Sequence, residues 1–197
     1  LTLFKADLLT PNDYQAAMQG CELVIHTASP FVVSNLKDAE AELIRPAVEG
    51  TKNVLNTANQ TPSVKRVVLT SSVVAIVGDN QDSQNIPDGM FDESHWNTTS
   101  RTDHQPYNYS KVLAEKAAWE IAKTQSRWDL VTINPSFVMG PSLAKESQST
   151  SISTMKQMGD GTMRMGTPCL FTGVVDVRDV ARAHILAGFT PAASGRY

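Results

Sequence analysis

Apolar positions along the chain fall into short β-branched runs separated by longer stretches of helical spacing. Leu23-Val24-Ile25-His26-Thr27, Val67-Val68-Leu69-Thr70 and Leu130-Val131-Thr132-Ile133 are compact runs of the kind that fill strands covered on both faces. Phe4-Lys5-Ala6-Asp7 reads as the end of a further strand. Thr10-Pro11-Asn12-Asp13 then supplies an N-cap, a first-turn proline and an acidic residue, which predicts a helix through about Met18 that Gly20 stops. Between residues 37 and 59, Leu43, Ile44, Ala47, Val48, Val54 and Leu55 recur at helical spacing and predict a long helix, bent near Pro46 and Gly50. A polar loop over residues 79–105 and a helix over 107–124 follow. After Gly140 the pattern loosens: residues 147–153 read as a Ser/Thr-rich loop, 171–177 as a recovered apolar run and 178–189 as a helix. Strand and helix alternate through connections too long for hairpins, so the economical architecture is a doubly wound α/β fold, a parallel sheet with helices on both faces.

Composition narrows the partners. Seventeen Lys and Arg against 20 Asp and Glu leave a formal charge of −3, with no basic cluster, which argues against nucleic acid or an anionic membrane. No apolar run approaches the roughly 18 residues that cross a bilayer, and the first residues lack the layout of a signal peptide, so the expected location is cytoplasmic. Cys21 and Cys169 lie far apart and read as reduced, buried thiols. Asn-x-Ser/Thr triplets at Asn59, Asn97 and Asn108 read as chance occurrences. The first residue is not Met and the last segment lacks terminal punctuation, so the chain reads as cut at both ends.

The sharpest candidate chemistry is Tyr107-Asn108-Tyr109-Ser110-Lys111, where a phenol and an ammonium four residues apart share one face of a helix. A fixed cation beside a phenol is expected to stabilise the phenolate and bring it towards the working range, as proton transfer at a carbonyl oxygen requires. Leu69-Thr70-Ser71-Ser72 places hydroxyls at the carboxyl end of a central strand, where ligands sit in open α/β sheets. A serine there could hold a substrate oxygen, or could merely satisfy strand-end backbone groups.

Taken together, the sequence resembles the extended short-chain dehydrogenase/reductase superfamily, in its dihydroflavonol-reductase and cinnamoyl-CoA-reductase-like group. The landmarks run the length of the chain: Ala6-Asp7-Leu8, His26-Thr27-Ala28-Ser29-Pro30, Val48-Glu49-Gly50-Thr51, Arg66 through Ser72, and Asp92-Glu93-Ser94-His95-Trp96. Tyr107 through Glu115, Asn134 through Pro141, Val175-Asp176-Val177-Arg178-Asp179 and Gly195-Arg196-Tyr197 complete them. The resemblance implies an NAD(P)H-dependent reductase in which Tyr107 protonates the carbonyl oxygen, Lys111 lowers the tyrosine pKa and binds the nicotinamide ribose, and Ser72 orients the substrate oxygen. It assigns Asp7 and Leu8 to the adenine side, Thr27, Ala28, Ser29, Thr70 and Ser71 to the strand-end cofactor edge, and Pro135, Ser136 and Val138 to the nicotinamide carboxamide. It also implies a dinucleotide-binding core over residues 1–140, lacking its first βαβ unit, and the start of a substrate lobe with a return helix over 141–197.

Two departures bear on this. No Gly-x-x-Gly-x-x-Gly or Gly-x-Gly-x-x-Gly occurs, and the phosphate-binding turn is expected upstream of Leu1, together with the residue that separates NADP from NAD. Family habit favours NADP(H), with NAD(H) as the alternative. The polar residue that reads flavonoid hydroxyls is replaced by Val77, and the cinnamoyl-CoA-reductase signature Asn-Trp-Tyr-Cys-Tyr-Gly-Lys is absent. The expected substrate is therefore a general aldehyde or ketone, approached on its apolar side by Val77 and Met139. A nucleotide-sugar epimerase with tightly held NAD and a non-catalytic dinucleotide binder are the rival readings. His26 and His184 read as structural, no metal is expected, and the protein is expected as a monomer or homodimer.

Overall fold

The computed structural model describes residues 1–30, 36–143, 149–166 and 172–197. In chain order it contains α1 (Gln15–Met18), β1 (Leu23–His26), α2 (Arg45–Gln60), β2 (Arg66–Thr70), α3 (Pro106–Lys123) and β3 (Asp129–Ile133). Then come β4 (Phe137–Met139), α4 (Thr150–Gly159), β5 (Val174–Asp176), α5 (Val177–Phe189) and β6 (Gly195–Arg196). β1, β2, β3 and β6 are parallel neighbours in that order, and β4 and β5 form a separate parallel pair.

Alternation along the strands divides the core into two layers. Val67, Leu69 and Leu130 meet Val54, Leu55 and Ala58 of α2 and Ala118 of α3 on one face. Val68, Val131 and Ile133 meet Ala187 of α5 on the other. The sheet is thus parallel and covered on both sides, as the strand-helix alternation predicts. β1 is the exception: Ile25 is 43% exposed because β1 is an edge strand among the described residues.

Several local expectations are corrected. Residues 1–7 form no strand, and among the described residues this segment has no ladder partner. The helix expected from Pro11 starts only at Gln15, because Asn12 adopts a left-handed φ of 64° and turns replace the first helical turn. Gly20, at φ 77°, does end that segment. The long helix exists, but its first turn, Glu40–Ile44, is a π-helix. Pro46 has no N–H to donate, and the Arg45 N–H reaches back to the Glu40 carbonyl in the wider register. Thr150–Gly159 is helical where a Ser/Thr loop was expected: extended Ser149 is its N-cap, and Ile152 and Met155 share a face. Cys21 is half-buried, its thiol 3.4 Å from the Ala17 carbonyl, whereas Cys169 and Phe171 lie outside the described residues. The side-chain amides of Asn59, Asn97 and Asn108 are engaged with Trp128, Val74 and Gln105 respectively. Among the described residues, no helix is long and apolar enough to cross a membrane.

Leu55 has no exposed surface and sits where α2 packs over β2 and α3. Leu55→Ala should lower stability by about 2–5 kcal/mol, read as a shift of the urea midpoint at unchanged slope.

Candidate active site

The carboxyl ends of β2 and β3 and the first turns of α3 converge on one point. Ser72 follows β2 in extended conformation (φ −164°, ψ 153°), and its Oγ accepts from the Val74 N–H at 3.4 Å, capping a short 3₁₀ turn. Tyr107 is the second residue of α3, whose entry is set by Gln105 in the left-handed region at φ 57°. That conformation is held by side-chain bonds: Gln105 donates to Asp79 at 2.9 Å and accepts from Ser100 at 2.7 Å and Asn108 at 2.9 Å. Asp79 also faces His104, so the 79–105 loop is pinned to the start of α3. The result is a hydrogen bond between the side chains of Tyr107 and Ser72. Lys111, one turn further on and 8% exposed, places its Nζ 5.8 Å from the Tyr107 ring centroid.

Burial governs the titration of this trio. Tyr107 is pushed up to about 12 by loss of hydration, with its Ser72 hydrogen bond pulling the other way. The expectation that Lys111 would bring the phenol towards neutrality is therefore not met. Desolvation of the phenolate outweighs every favourable contact, and the ammonium stands over the ring. Lys111 itself is pulled down to about 8 by burial, opposed by the negative charge of Glu115. His26, at the end of β1, is pulled down to about 4, first by burial and then by the Lys111 charge, so it is neutral at physiological pH. Its buried Nε2 has no hydrogen-bond partner among the described residues.

Beneath the trio lies a group that the residue patterns did not single out. Glu115 is 1% exposed, one turn beyond Lys111 on the same face of α3. Its Oε2 accepts from Ser71 Oγ at 2.5 Å and Asn134 Nδ2 at 2.8 Å, and its Oε1 from Arg196 Nε at 2.6 Å and Trp119 Nε1 at 3.2 Å. The signal in the sequence was a lone carboxylate between Ala114 and Ala118 on a helix face that carries Lys111 and must be buried. Arg196 carried no sequence signal for this role, because its partner comes from an element 81 residues away.

The other expected residues are distributed around this centre. Thr27 and Ala28 are exposed and Ser29 is half-buried, all just past the end of β1. Exposed Asp7 accepts from the Leu9 N–H at 2.8 Å, and Leu8 packs against the α2 side of the core. The hydroxyls of Thr70 and Ser71 do not face the open edge. Thr70 Oγ1 lies 2.7 Å from Nε2 of His184, whose Nδ1 is 2.7 Å from the Val180 carbonyl. A carbonyl only accepts, so Nδ1 carries a proton, and Thr70 donates to Nε2 when the ring is neutral. Pro135, Ser136, Val138 and Met139 are half-buried along the segment leaving β3. Val138, Met139, Gly140, Leu143, Ile152 and Met155 line a cavity of about 810 Å³, which Val77 does not reach. Gly140 has φ 144°, and a Cβ there would lie 2.6 Å from Val177 Cγ1, so this wall tolerates no side chain.

A parallel sheet ending in this Ser-Tyr-Lys arrangement is the framework of the extended short-chain dehydrogenases/reductases. The model of the 3-beta hydroxysteroid dehydrogenase/isomerase family matches residues 1–190, and the chain belongs to that family. It is 44% identical over 200 residues to cinnamoyl-CoA reductase CAD2 of Medicago truncatula, covering 100% of this chain and 59% of that protein. It is 36% identical over 208 residues to anthocyanidin reductase of Arabidopsis thaliana, covering 100% and 60%. Among solved structures it is similar to yeast methylglyoxal/isovaleraldehyde reductase Gre2 complexed with NADPH, with TM-score 0.84, 32% identity, and coverage of 96% of this chain and 60% of that one. The chain thus spans about 60% of the length of these relatives. The chain lacks the Asn-Trp-Tyr-Cys-Tyr-Gly-Lys signature, and a relative that it matches bears the cinnamoyl-CoA reductase name.

Ser71→Ala should leave Glu115 short of one buried donor and lower stability by about 1–3 kcal/mol, measured as the loss in a denaturant titration.

Proposed function

We propose that the protein containing this chain is an NADPH-dependent reductase of aldehyde or ketone carbonyls, with Ser72, Tyr107 and Lys111 as its catalytic residues. The observation that carries this reading is the Ser72–Tyr107 hydrogen bond above a buried lysine at the carboxyl edge of a parallel sheet. A likeness to the yeast reductase complexed with NADPH favours that cofactor over NADH.

The donor set fits the nicotinamide end of such a cofactor, since the Lys111 ammonium beside the Tyr107 ring has donors for a ribose diol. Pro135, Ser136 and Val138 would lie against the carboxamide, and Asp7, Leu8, Thr27, Ala28 and Ser29 towards the adenosine half. Thr70 and Ser71 would contribute main chain, because both hydroxyls are engaged elsewhere. Residues 1–140 would form the cofactor core, and residues 141–197 the beginning of the substrate lobe with its return helix. Bound NADPH supplies a hydride to the carbonyl carbon. Ser72 holds the substrate oxygen by hydrogen bonding, and Tyr107 gives its phenolic proton to that oxygen as negative charge develops there. A phenol held at about 12 is fully protonated at neutral pH, which suits a residue that must begin the reaction as an acid. Lys111 stabilises the phenolate left behind. The apolar part of the substrate would approach Val77 and Met139, of which Met139 lines the cavity behind Gly140.

In the intact protein, Tyr107→Phe should lower kcat for isovaleraldehyde reduction at least a thousandfold, while the NADPH Kd from tryptophan quenching stays within about twofold. Unchanged turnover would overturn the assignment, and NAD retained through purification without NADPH consumption would favour an epimerase. Because Lys111 must be charged, kcat/KM should be level below its ligand-free pKa of about 8 and fall as pH rises through it.

A further inference from the structure

Glu115 is bound to more elements than any role in packing α3 requires. Its carboxylate takes hydrogen bonds from the residue after β2, the residue after β3, its own helix and β6. Two of those donors adjoin the reacting groups directly. Ser71 precedes Ser72, and Asn134 precedes Pro135. The Asn134 side-chain amide spans the gap, with Nδ2 at 2.8 Å from Glu115 Oε2 and 3.1 Å from the Ser72 carbonyl. The Ser71 N–H donates to the Ile133 carbonyl at 2.8 Å and the Val73 N–H to the Pro135 carbonyl at 3.0 Å, so the two strand ends are tied to each other by main chain as well.

Arg196 closes the arrangement from the opposite side. Its Nε and Nη2 face the two oxygens of Glu115 at 2.6 and 3.4 Å. Its Nη1 donates to the carbonyls of Glu93 at 2.7 Å and His95 at 2.5 Å, and its guanidinium lies 3.9 Å from the Trp96 ring centroid. One buried fork therefore ties the segment around residue 95 to the floor of the site. We propose that Glu115 and Arg196 are positioning residues of the reductase site, a buried clamp that sets Ser72 and the Pro135–Ser136 segment against Tyr107 and fixes a carboxylate one helical turn from Lys111. What is positioned rests on the function proposed above.

The sign of the electrostatic part follows from the groups around Lys111. Tyr107 and Glu115 face it from its own helix, and His26 faces it from β1. His26 and Tyr107 are neutral at pH 7, so the Glu115 charge is what opposes desolvation of the ammonium. Removing that charge lowers the Lys111 pKa. Glu115→Gln retains shape but puts an amide N–H where an acceptor is needed and leaves the Arg196 charge without its partner.

The test has a readout independent of turnover. In the intact protein with ¹³Cε-labelled lysine, the Lys111 pKa read by NMR without cofactor should fall in Glu115→Gln, and the alkaline limb of kcat/KM should move to lower pH by the same interval. At pH 8 the loss in kcat/KM should exceed that at pH 6.5 by at least threefold. A folded Glu115→Gln protein whose Lys111 titration and pH profile superimpose on those of the wild type would overturn the proposal. Should that variant not fold, Arg196→Lys keeps the charge but loses the fork. It should reduce kcat about tenfold with little change in KM or in the pH profile, and an unchanged kcat would overturn the proposal equally. If Tyr107→Phe keeps full activity, the reductase reading fails, while the NMR titration still decides whether Glu115 holds the Lys111 charge.

Discussion

A carboxylate without access to water has to be surrounded by donors, and satisfying Glu115 dictates how the carboxyl ends of β2, β3 and β6 meet α3. Burying one ion unpaired costs several kcal/mol, whereas a well-formed pair with its remaining lone pairs filled roughly offsets that desolvation. The pair of Glu115 with Arg196 is therefore poor evidence for extra stability. It is good evidence for uniqueness of geometry, because few arrangements of these elements supply five donor side chains to one buried carboxylate, counting Thr132 at 3.3 Å. Thr132 lies equally 3.3 Å from Asn134 Oδ1 and can give its single proton to only one of the two acceptors.

The parallel sheet makes such a meeting place available. With every strand of the main sheet running the same way, all their carboxyl ends open on one edge, and residues far apart in sequence arrive there together. Ser72, Tyr107 and Asn134 come from three separate elements, and no local motif could hold them at hydrogen-bonding distance. The polar loop over residues 79–105 serves the same edge. Its bonds from Asp79 and Ser100 fix Gln105 in a left-handed conformation, which aims the first turn of α3 at the end of β2.

How much of this was legible in the sequence follows from the range of the forces involved. Buried strands were readable because burial on both faces demands a continuous apolar run, as in Val67-Val68-Leu69 and Leu130-Val131. The Tyr107-Lys111 pair was readable because helical geometry fixes neighbours four residues apart. The turn at Asn12 was not, since Thr10-Pro11 carries every sign of a helix start and only the left-handed residue defeats it. Nor was α4, whose Ser/Thr-rich beginning suits an N-cap as well as a loop. Glu115 and Arg196 fall between these cases: a buried charge is visible as an anomaly on a helix face, but its partner is set by tertiary structure.

The titration of the trio also shows why a spacing alone cannot predict a pKa. The same loss of water that pushes Tyr107 up to about 12 pulls Lys111 down to about 8, so desolvation keeps the phenol protonated while threatening the charge beside it. The two shifts are compatible with proton donation only if the ammonium survives burial, because a phenolate formed next to a neutral amine would find no compensation for its lost hydration. Glu115 supplies that support one turn away, and Arg196, Ser71 and Asn134 fill the shell of its buried carboxylate. On the proposed function, proton transfer at Tyr107 would in this way depend, through Lys111 and Glu115, on an arginine of β6, at the opposite edge of the main sheet from β1 among the described residues.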